Sequence, residues 1–102
     1  MKQYDVVWHR KARADLLNLY DWIAEQADPD TAFDYTSKIE AHAAKLAHFP
    51  ECGTPRDDLA PGLRTIPYRR RTVIAYQVLE GEVEILAVVH GGRDLGRVFG
   101  KE

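Results

Sequence analysis

The amino-acid sequence predicts an α+β fold in which a helical hairpin packs on one face of a small antiparallel sheet. Apolar residues recur at helical spacing over residues 12–46 and at strand spacing over residues 63–89. Helices and strands that are segregated along the chain in this way are typical of α+β folds rather than of alternating α/β folds. We therefore expect the element order β-α-α-β-β-β, in a single domain over residues 1–102.

The first strand and the two helices follow from local patterns. A strand is expected from Tyr4 to Trp8, where β-prone side chains alternate between two faces. The first helix is expected from residue 12, and its buried stripe is Ala12, Leu16, Leu19, Tyr20, Ile23 and Ala27. Asp28-Pro29-Asp30 then supplies an N-cap acceptor, a proline suited to the first helical position and an acid that complements the helix dipole. The second helix begins there and ends at Pro50, with the buried stripe Ala32, Tyr35, Thr36, Ile39, Ala43 and Leu46.

The rest of the chain is predicted to form the sheet. Residues 51–62 are rich in Gly, Pro and Asp and are expected to be a loop, whereas residues 63–66, 72–79 and 82–89 are expected to be antiparallel strands. Glu80-Gly81 is the predicted turn, and residues 91–102 are a predicted tail. Strict alternation in the last strand predicts two faces. The face towards the helices should hold Val83, Ile85, Ala87 and Val89, and the other face Glu82, Glu84, Leu86, Val88 and His90.

Composition excludes several classes of protein. The first twenty residues lack the apolar run of a signal peptide, and no segment approaches the roughly 18 apolar residues of a membrane span, so we expect a cytoplasmic protein with no membrane partner. Cys52 is the only cysteine, which excludes an internal disulfide and a cysteine-based zinc site. His42 and His48 lack the i, i+4 spacing of a helical metal pair, so neither a metal nor another cofactor is expected.

The charges are unevenly distributed although the net charge is only −2. Seven acids lie between Asp15 and Glu40 against one base, Lys38, whereas residues 62–76 contain four arginines and no acid. One end of the molecule is therefore expected to be negative and another positive.

Several short motifs lie between the end of the second predicted helix and the C-terminal segment. The motifs Phe49-Pro50, Gly53, Asp57-Asp58-Leu59 and Pro61-Gly62-Leu63-Arg64 resemble the ParE pattern of a helix-ending proline, a glycine loop and a G-x-R strand start. The segments 72–76, 83–89 and His90-Gly91-Gly92-Arg93-Asp94 resemble the closing hairpin of the family and its V-x-H-x-x-R-D ending. Together with the predicted β-α-α-β-β-β order, these motifs make nearly the whole chain resemble the RelE/ParE toxin superfamily.

The resemblance implies the toxin component of a type II toxin–antitoxin system. ParE-like members inhibit DNA gyrase by non-catalytic binding, RelE-like members cut messenger RNA in the ribosome, and both are neutralised by an antitoxin. We expect a gyrase inhibitor held in a tight hetero-oligomer with its antitoxin, without sequence-specific DNA binding of its own. The alternative is a RelE-type endoribonuclease that uses His90, Arg64 and Arg70. The lysines and aromatic residues of RelE-like enzymes have no evident counterparts, because Tyr76 lies in mid-strand and Lys101 is the only lysine after Lys45.

The candidate binding residues have more than one interpretation. The run Arg69-Arg70-Arg71 is consistent with contacts to nucleic-acid phosphates, with a solvated strand edge that discourages aggregation, or with docking of an acidic antitoxin segment. Trp22 falls between the stripe positions of the first helix, so it flanks the core or lies in an antitoxin groove. His90 either ends a strand and bonds backbone or points to a substrate. The residues predicted to bind the antitoxin or the target are Arg64, Arg69, Arg70, Arg71, Trp22, Leu86, Val88 and Arg93.

Overall fold

The predicted helical hairpin and sheet are both present in a computed structural model of the protein, which describes residues 3–91 and 95–99. The elements are β1 (Asp5–Trp8), α1 (Arg10–Gln26), α2 (Pro29–Ala44), a 3-10 turn (Lys45–Ala47), β2 (Thr54–Pro55), β3 (Leu63–Tyr68), β4 (Thr72–Leu79), β5 (Glu82–His90) and α3 (Leu95–Val98). The α+β class and the predicted order are confirmed. The short elements β2 and α3 are additions that the sequence patterns did not predict.

The two helices begin where short polar side chains cap them. Asp28 Oδ1 accepts a hydrogen bond from the backbone N–H of Thr31 at 2.7 Å, and Pro29 is the first helical residue of α2. Hydrogen bonds from the backbone N–H and from the side-chain hydroxyl of Thr31 stabilise the carboxylate of Asp28, so its pKa lies below the ordinary value. At the start of α1, His9 Nδ1 accepts from the backbone N–H of Lys11 at 3.1 Å. The predicted start of the second helix is therefore confirmed together with its cap.

The strand order in the sheet is β1-β5-β4-β3-β2. Strands β3, β4 and β5 pair antiparallel, as predicted, and β2 also pairs antiparallel with β3. In contrast, β1 runs parallel to β5, from Asp5 opposite Glu82 to Trp8 opposite Ile85. The sheet is therefore mixed. The helical hairpin and strands β2, β3 and β4 separate β1 from β5 along the chain. A connection of this length, unlike a tight turn, allows the two strands to pair in parallel.

A β-bulge in β5 changes which side chains meet the helices. Ala75 lies opposite Ala87 and Tyr76 opposite Ile85, which leaves Leu86 as the extra residue on β5. One extra residue reverses the alternation of faces beyond it. The predicted helix-facing set is thus correct for Val83 and Ile85, which lie in the core beneath the helices, and wrong for Ala87 and Val89, which lie in the opposite core.

The sheet is covered on both faces. The main core lies between the hairpin and the sheet and contains Ile39 of α2, Leu19 of α1 and Ile74 of β4. A smaller cluster on the other face joins Leu59 and Leu63 to the residues of β5 that the bulge redirects. Part of the predicted tail contributes to this second cluster, because Leu95, Val98 and Phe99 pack against it.

Tyr76 fastens the connecting loop to the sheet. Its side chain is fully buried, and its hydroxyl accepts from the backbone N–H of Gly53 at 2.9 Å and donates to the carbonyl of Pro50 at 2.8 Å. Burial raises the pKa of the Tyr76 phenol. A Cβ at Gly53 would lie 2.5 Å from the Tyr76 hydroxyl oxygen, so this close approach requires glycine. The predicted loop is therefore a fixed part of the fold.

The Tyr76→Phe variant should be destabilised by about 1–3 kcal/mol, because a buried N–H and a carbonyl each lose their partner. The measurement is the free energy of unfolding from urea denaturation. Tyr68→Phe is the matched control, since its hydroxyl bonds only the side chain of Arg69 in an exposed contact. Equal stability losses in the two variants would contradict the anchoring role.

Candidate functional site

An open cleft of about 460 Å³ lies between α1, the end of β5 and the β3–β4 turn. The residues that line it are Asp15, Asn18, Leu19, Trp22, Arg71, Val88, His90 and Gly91. Four residues singled out in the sequence, namely Trp22, Arg71, Val88 and His90, therefore meet at one place. We call this region the Trp22 cleft.

Trp22 and His90 form the aromatic part of the Trp22 cleft. The Trp22 side chain is 52 % exposed, and its ring centroid lies 5.5 Å from that of His90. The ring of Tyr35 from α2 meets His90 edge-on at 6.1 Å. His90 thus lies on the helix-covered face, whereas strict alternation predicted the opposite face. That prediction was wrong because the bulge at Leu86 shifts the alternation by one residue.

His90 ends a chain of polar side chains that leads into the core. Its Nδ1 lies 2.8 Å from Thr72 Oγ1, which lies 2.9 Å from the hydroxyl of Tyr35. Burial lowers the pKa of His90, and the positive charge of Arg71 lowers it further. His90 is therefore neutral at pH 7, and its ring is held in place by Thr72 and two aromatic neighbours.

Asp15 forms the wall of the Trp22 cleft that faces β5. Its Oδ2 accepts from the backbone N–H of Val88 at 3.0 Å and pairs with Lys11 Nζ at 3.0 Å. The pairing of β1 with β5 ends at Ile85, so no strand among the described residues lies beside this part of β5 on that side. The carboxylate of Asp15 satisfies a backbone donor that a strand would otherwise satisfy.

The arginine run occupies the turn between β3 and β4 rather than a strand edge. Arg69 has a φ of 56°, its Nε donates to the Tyr68 hydroxyl at 3.2 Å, and its guanidinium lies 5.4 Å from the Tyr68 ring centroid. Arg70 and Arg71 are exposed, and Arg71 reaches the Trp22 cleft. These charges therefore do not lie at a strand edge, which was one of the three interpretations of the arginine run. The turn places its positive charge at one end of the Trp22 cleft.

Other predicted site residues lie elsewhere. Arg64 Nη1 donates to the carbonyls of Glu51 at 2.9 Å and Gly53 at 2.8 Å, which gives Arg64 a structural role in holding the loop. Leu86 packs with the cluster on the opposite face, and Val88 is 6 % exposed at the floor of the cleft. Arg93 lies outside the described residues.

The three residues of the alternative, RelE-type interpretation, namely His90, Arg64 and Arg70, do not come together. Arg64 pairs with Tyr76, and His90 pairs with Thr72, four residues away on β4. Four residues of strand correspond to about 13 Å, so Arg64 and His90 do not meet around one substrate group. Arg70 is exposed in the turn and does not line the cleft.

Sequence analysis missed Asp15 and Asn18 as cleft residues. Both precede Trp22 at helical spacing, by seven and four positions, and therefore share its side of α1. Trp22 was singled out because it falls beside the buried stripe of α1, and the same criterion would have identified Asp15 and Asn18. Nothing local identifies Thr72 as the partner of His90, because that contact depends on the register of β4 against β5.

Within residues 3–91 and 95–99, no three His, Cys, Asp or Glu side chains are grouped so that they could hold a metal ion. The helices of the same ranges are also too short or too polar to cross a membrane.

The free energy of unfolding should fall as the pH drops below the ordinary His pKa of 6.5. The folded pKa of His90 is lowered, so the unfolded chain binds the proton first and is favoured in acid. Urea denaturation between pH 7 and pH 5 should show a smaller loss of stability for His90→Asn than for the unmodified protein. Equal losses would contradict a neutral, half-buried His90.

Comparison with known proteins identifies the family of the chain. The family model described as the ParE toxin of type II toxin–antitoxin system, parDE, matches residues 6–95. Toxin ParE3 of Caulobacter vibrioides is 30 % identical over 97 residues, which cover 95 % of this chain and 96 % of that protein. A solved chain of the chromosomal ParDE TA system from P. aeruginosa has a TM-score of 0.77 and 27 % identity, over 86 % of this chain and 96 % of its own. The protein is a member of the ParE toxin family of type II toxin–antitoxin systems.

Proposed function

We propose that this ParE toxin inhibits DNA gyrase in the cytoplasm by binding it without chemistry of its own, and that a cognate antitoxin neutralises it. The observation that carries the proposal is the match of the ParE family model to residues 6–95. The arrangement of the candidate residues supports binding rather than catalysis.

RNA cleavage requires a base, a cation and an acid around one phosphate. Arg64 bonds two loop carbonyls and Arg69 bonds Tyr68. Among the candidate arginines that the structure describes, Arg71 is the one that lines the Trp22 cleft beside His90. Nδ1 of His90 is engaged by Thr72. This arrangement favours a rigid binding surface over a nuclease.

The Trp22 cleft is the proposed antitoxin site. Tryptophan and arginine are both enriched among the residues that dominate the binding energy of protein interfaces, and Trp22 and Arg71 both line this cleft. Arg70 and Arg71 supply positive charge at one end, while Leu19 and Val88 form an apolar floor. An antitoxin segment with an acidic side chain next to a large apolar one would fit this cleft.

The gyrase proposal predicts a loss of supercoiling, or an accumulation of cleaved DNA, when the toxin is added to purified gyrase. Addition of the antitoxin should reverse the effect, and His90→Asn should inhibit as the unmodified protein does. A folded, growth-inhibiting sample that leaves gyrase unaffected but cleaves messenger RNA on ribosomes would support the RelE-type alternative instead.

The cleft proposal predicts that Trp22→Ala weakens antitoxin binding by about tenfold or more, which corresponds to about 1.4 kcal/mol. Stability should change little, since the side chain is half exposed in the free toxin. Phe49→Ala is the matched control, because Phe49 is an aromatic residue of 64 % exposure outside the cleft. Calorimetric titration with the antitoxin measures both affinities. An unchanged affinity for Trp22→Ala would place the antitoxin elsewhere.

A further inference from the structure

The face of α1 that points away from the sheet carries a regular stripe of exposed side chains. Arg10, Arg13, Leu17 and Asp21 follow one another at helical spacing, and Glu25 extends the row by one more turn. All five are exposed, and they lie opposite the buried face of α1. We call this row the α1 stripe: basic at the start of the helix, apolar in the middle and acidic at the end.

The charges of the α1 stripe oppose the helix dipole. The first turn of α1 contains no acid and its last turn contains no base, whereas a helix is stabilised by acids at its start and bases at its end. α2 follows the rule, with Asp30 in its first turn and His42 in its last. The unfavourable arrangement is therefore particular to α1.

Neighbours within the α1 stripe add to the conflict. Arg10 and Arg13 are like charges three residues apart, and Asp21 and Glu25 are like charges four residues apart, which destabilises a helix. The ion pairs found within residues 3–91 and 95–99 do not involve these four side chains. Local stability therefore does not explain the choice of residues, and such conflicts are typical of functional surfaces.

The α1 stripe is complementary to itself. A second copy of α1 laid antiparallel, with its Leu17 against Leu17, places Arg13 opposite Asp21 of the other copy, since both lie four residues from Leu17 on opposite sides. Arg10 then lies opposite the turn that carries Glu25. A two-fold axis through Leu17 thus pairs unlike charges at both ends, and it also sets each helix dipole against its opposite.

Leu17 supplies the apolar centre of this contact. Its side chain is 67 % exposed, the same exposure as Phe33 of α2. Beside Leu17 lies a groove of about 280 Å³ between the two helices, whose walls include Leu16 and Tyr20. A leucine from a second copy can enter this groove and remove apolar surface from water.

We propose that the α1 stripe is a dimerisation surface, on which a second copy of this chain docks antiparallel about a two-fold axis at Leu17. The contact involves one helix from each copy and is smaller than the interface of a stable dimer, so the dimer forms and dissociates with concentration. Free toxin therefore self-associates through a surface that is separate from the Trp22 cleft.

Two double variants test this proposal by sedimentation equilibrium over a range of toxin concentrations. Arg10→Glu/Arg13→Glu makes the α1 stripe wholly acidic, and Asp21→Arg/Glu25→Arg makes it wholly basic. Each variant alone should dimerise at least about tenfold more weakly than the unmodified toxin, whereas an equimolar mixture should form heterodimers. Added salt should weaken the unmodified dimer.

Folding is checked separately. Arg10→Glu/Arg13→Glu places acids at the start of α1, so its melting temperature should equal or exceed that of the unmodified protein. The charge-conserving Arg10→Lys/Arg13→Lys variant should dimerise normally. A toxin that is monomeric at every concentration, or a dimer that both variants leave intact, would overturn the proposal. Weakened antitoxin binding without any self-association of the toxin would assign the α1 stripe to the antitoxin instead, and would also overturn it.

Discussion

The hydrogen bond from the backbone N–H of Val88 to the carboxylate of Asp15 and the bulge at Leu86 together determine the site. The bulge comes directly after the last residue of β5 that pairs with β1, and Asp15 then takes over the edge that β1 leaves. Because the alternation is shifted there, Val88 and His90 face the helices. Without this change Val89 would face the helices and His90 would face the opposite core, so Trp22 would have no aromatic partner on β5.

The sequence was sufficient to predict the helical hairpin and strands β1, β3, β4 and β5, but neither the short elements β2 and α3 nor the faces of β5 beyond Ile85. The start of α2 was readable because Asp28, Pro29 and Asp30 each satisfy a local requirement of a helix start. The faces of β5 were not readable beyond Ile85, since Ala87 and Val89 on one side and Leu86 and Val88 on the other are all apolar. A strand that is covered on both faces carries no polar side to mark the register.

The sequence could predict those parts of the candidate site that depend on the pattern of a single helix or strand. Trp22 stood out because it interrupts the buried stripe of α1, and it does line a cleft. Arg64 was assigned to binding because of its charge, yet its guanidinium holds the loop by two carbonyl contacts. Whether an arginine meets solvent or backbone depends on the path of the loop. That path is fixed by the hydrogen bond between Gly53 in the loop and Tyr76, which are 23 residues apart in the sequence.

α1 contributes both to the stability of the fold and to the proposed interactions of the toxin, because each side of this helix has a different role. One side buries Ala12, Leu19 and Ile23 against the sheet. The next side, with Asp15 and Trp22, caps β5 and lines the Trp22 cleft. The outer side is the α1 stripe, whose charges oppose the dipole of their own helix. The buried side supplies the stability that lets the outer side keep unfavourable charges, so folding and binding impose separate constraints on a single helix.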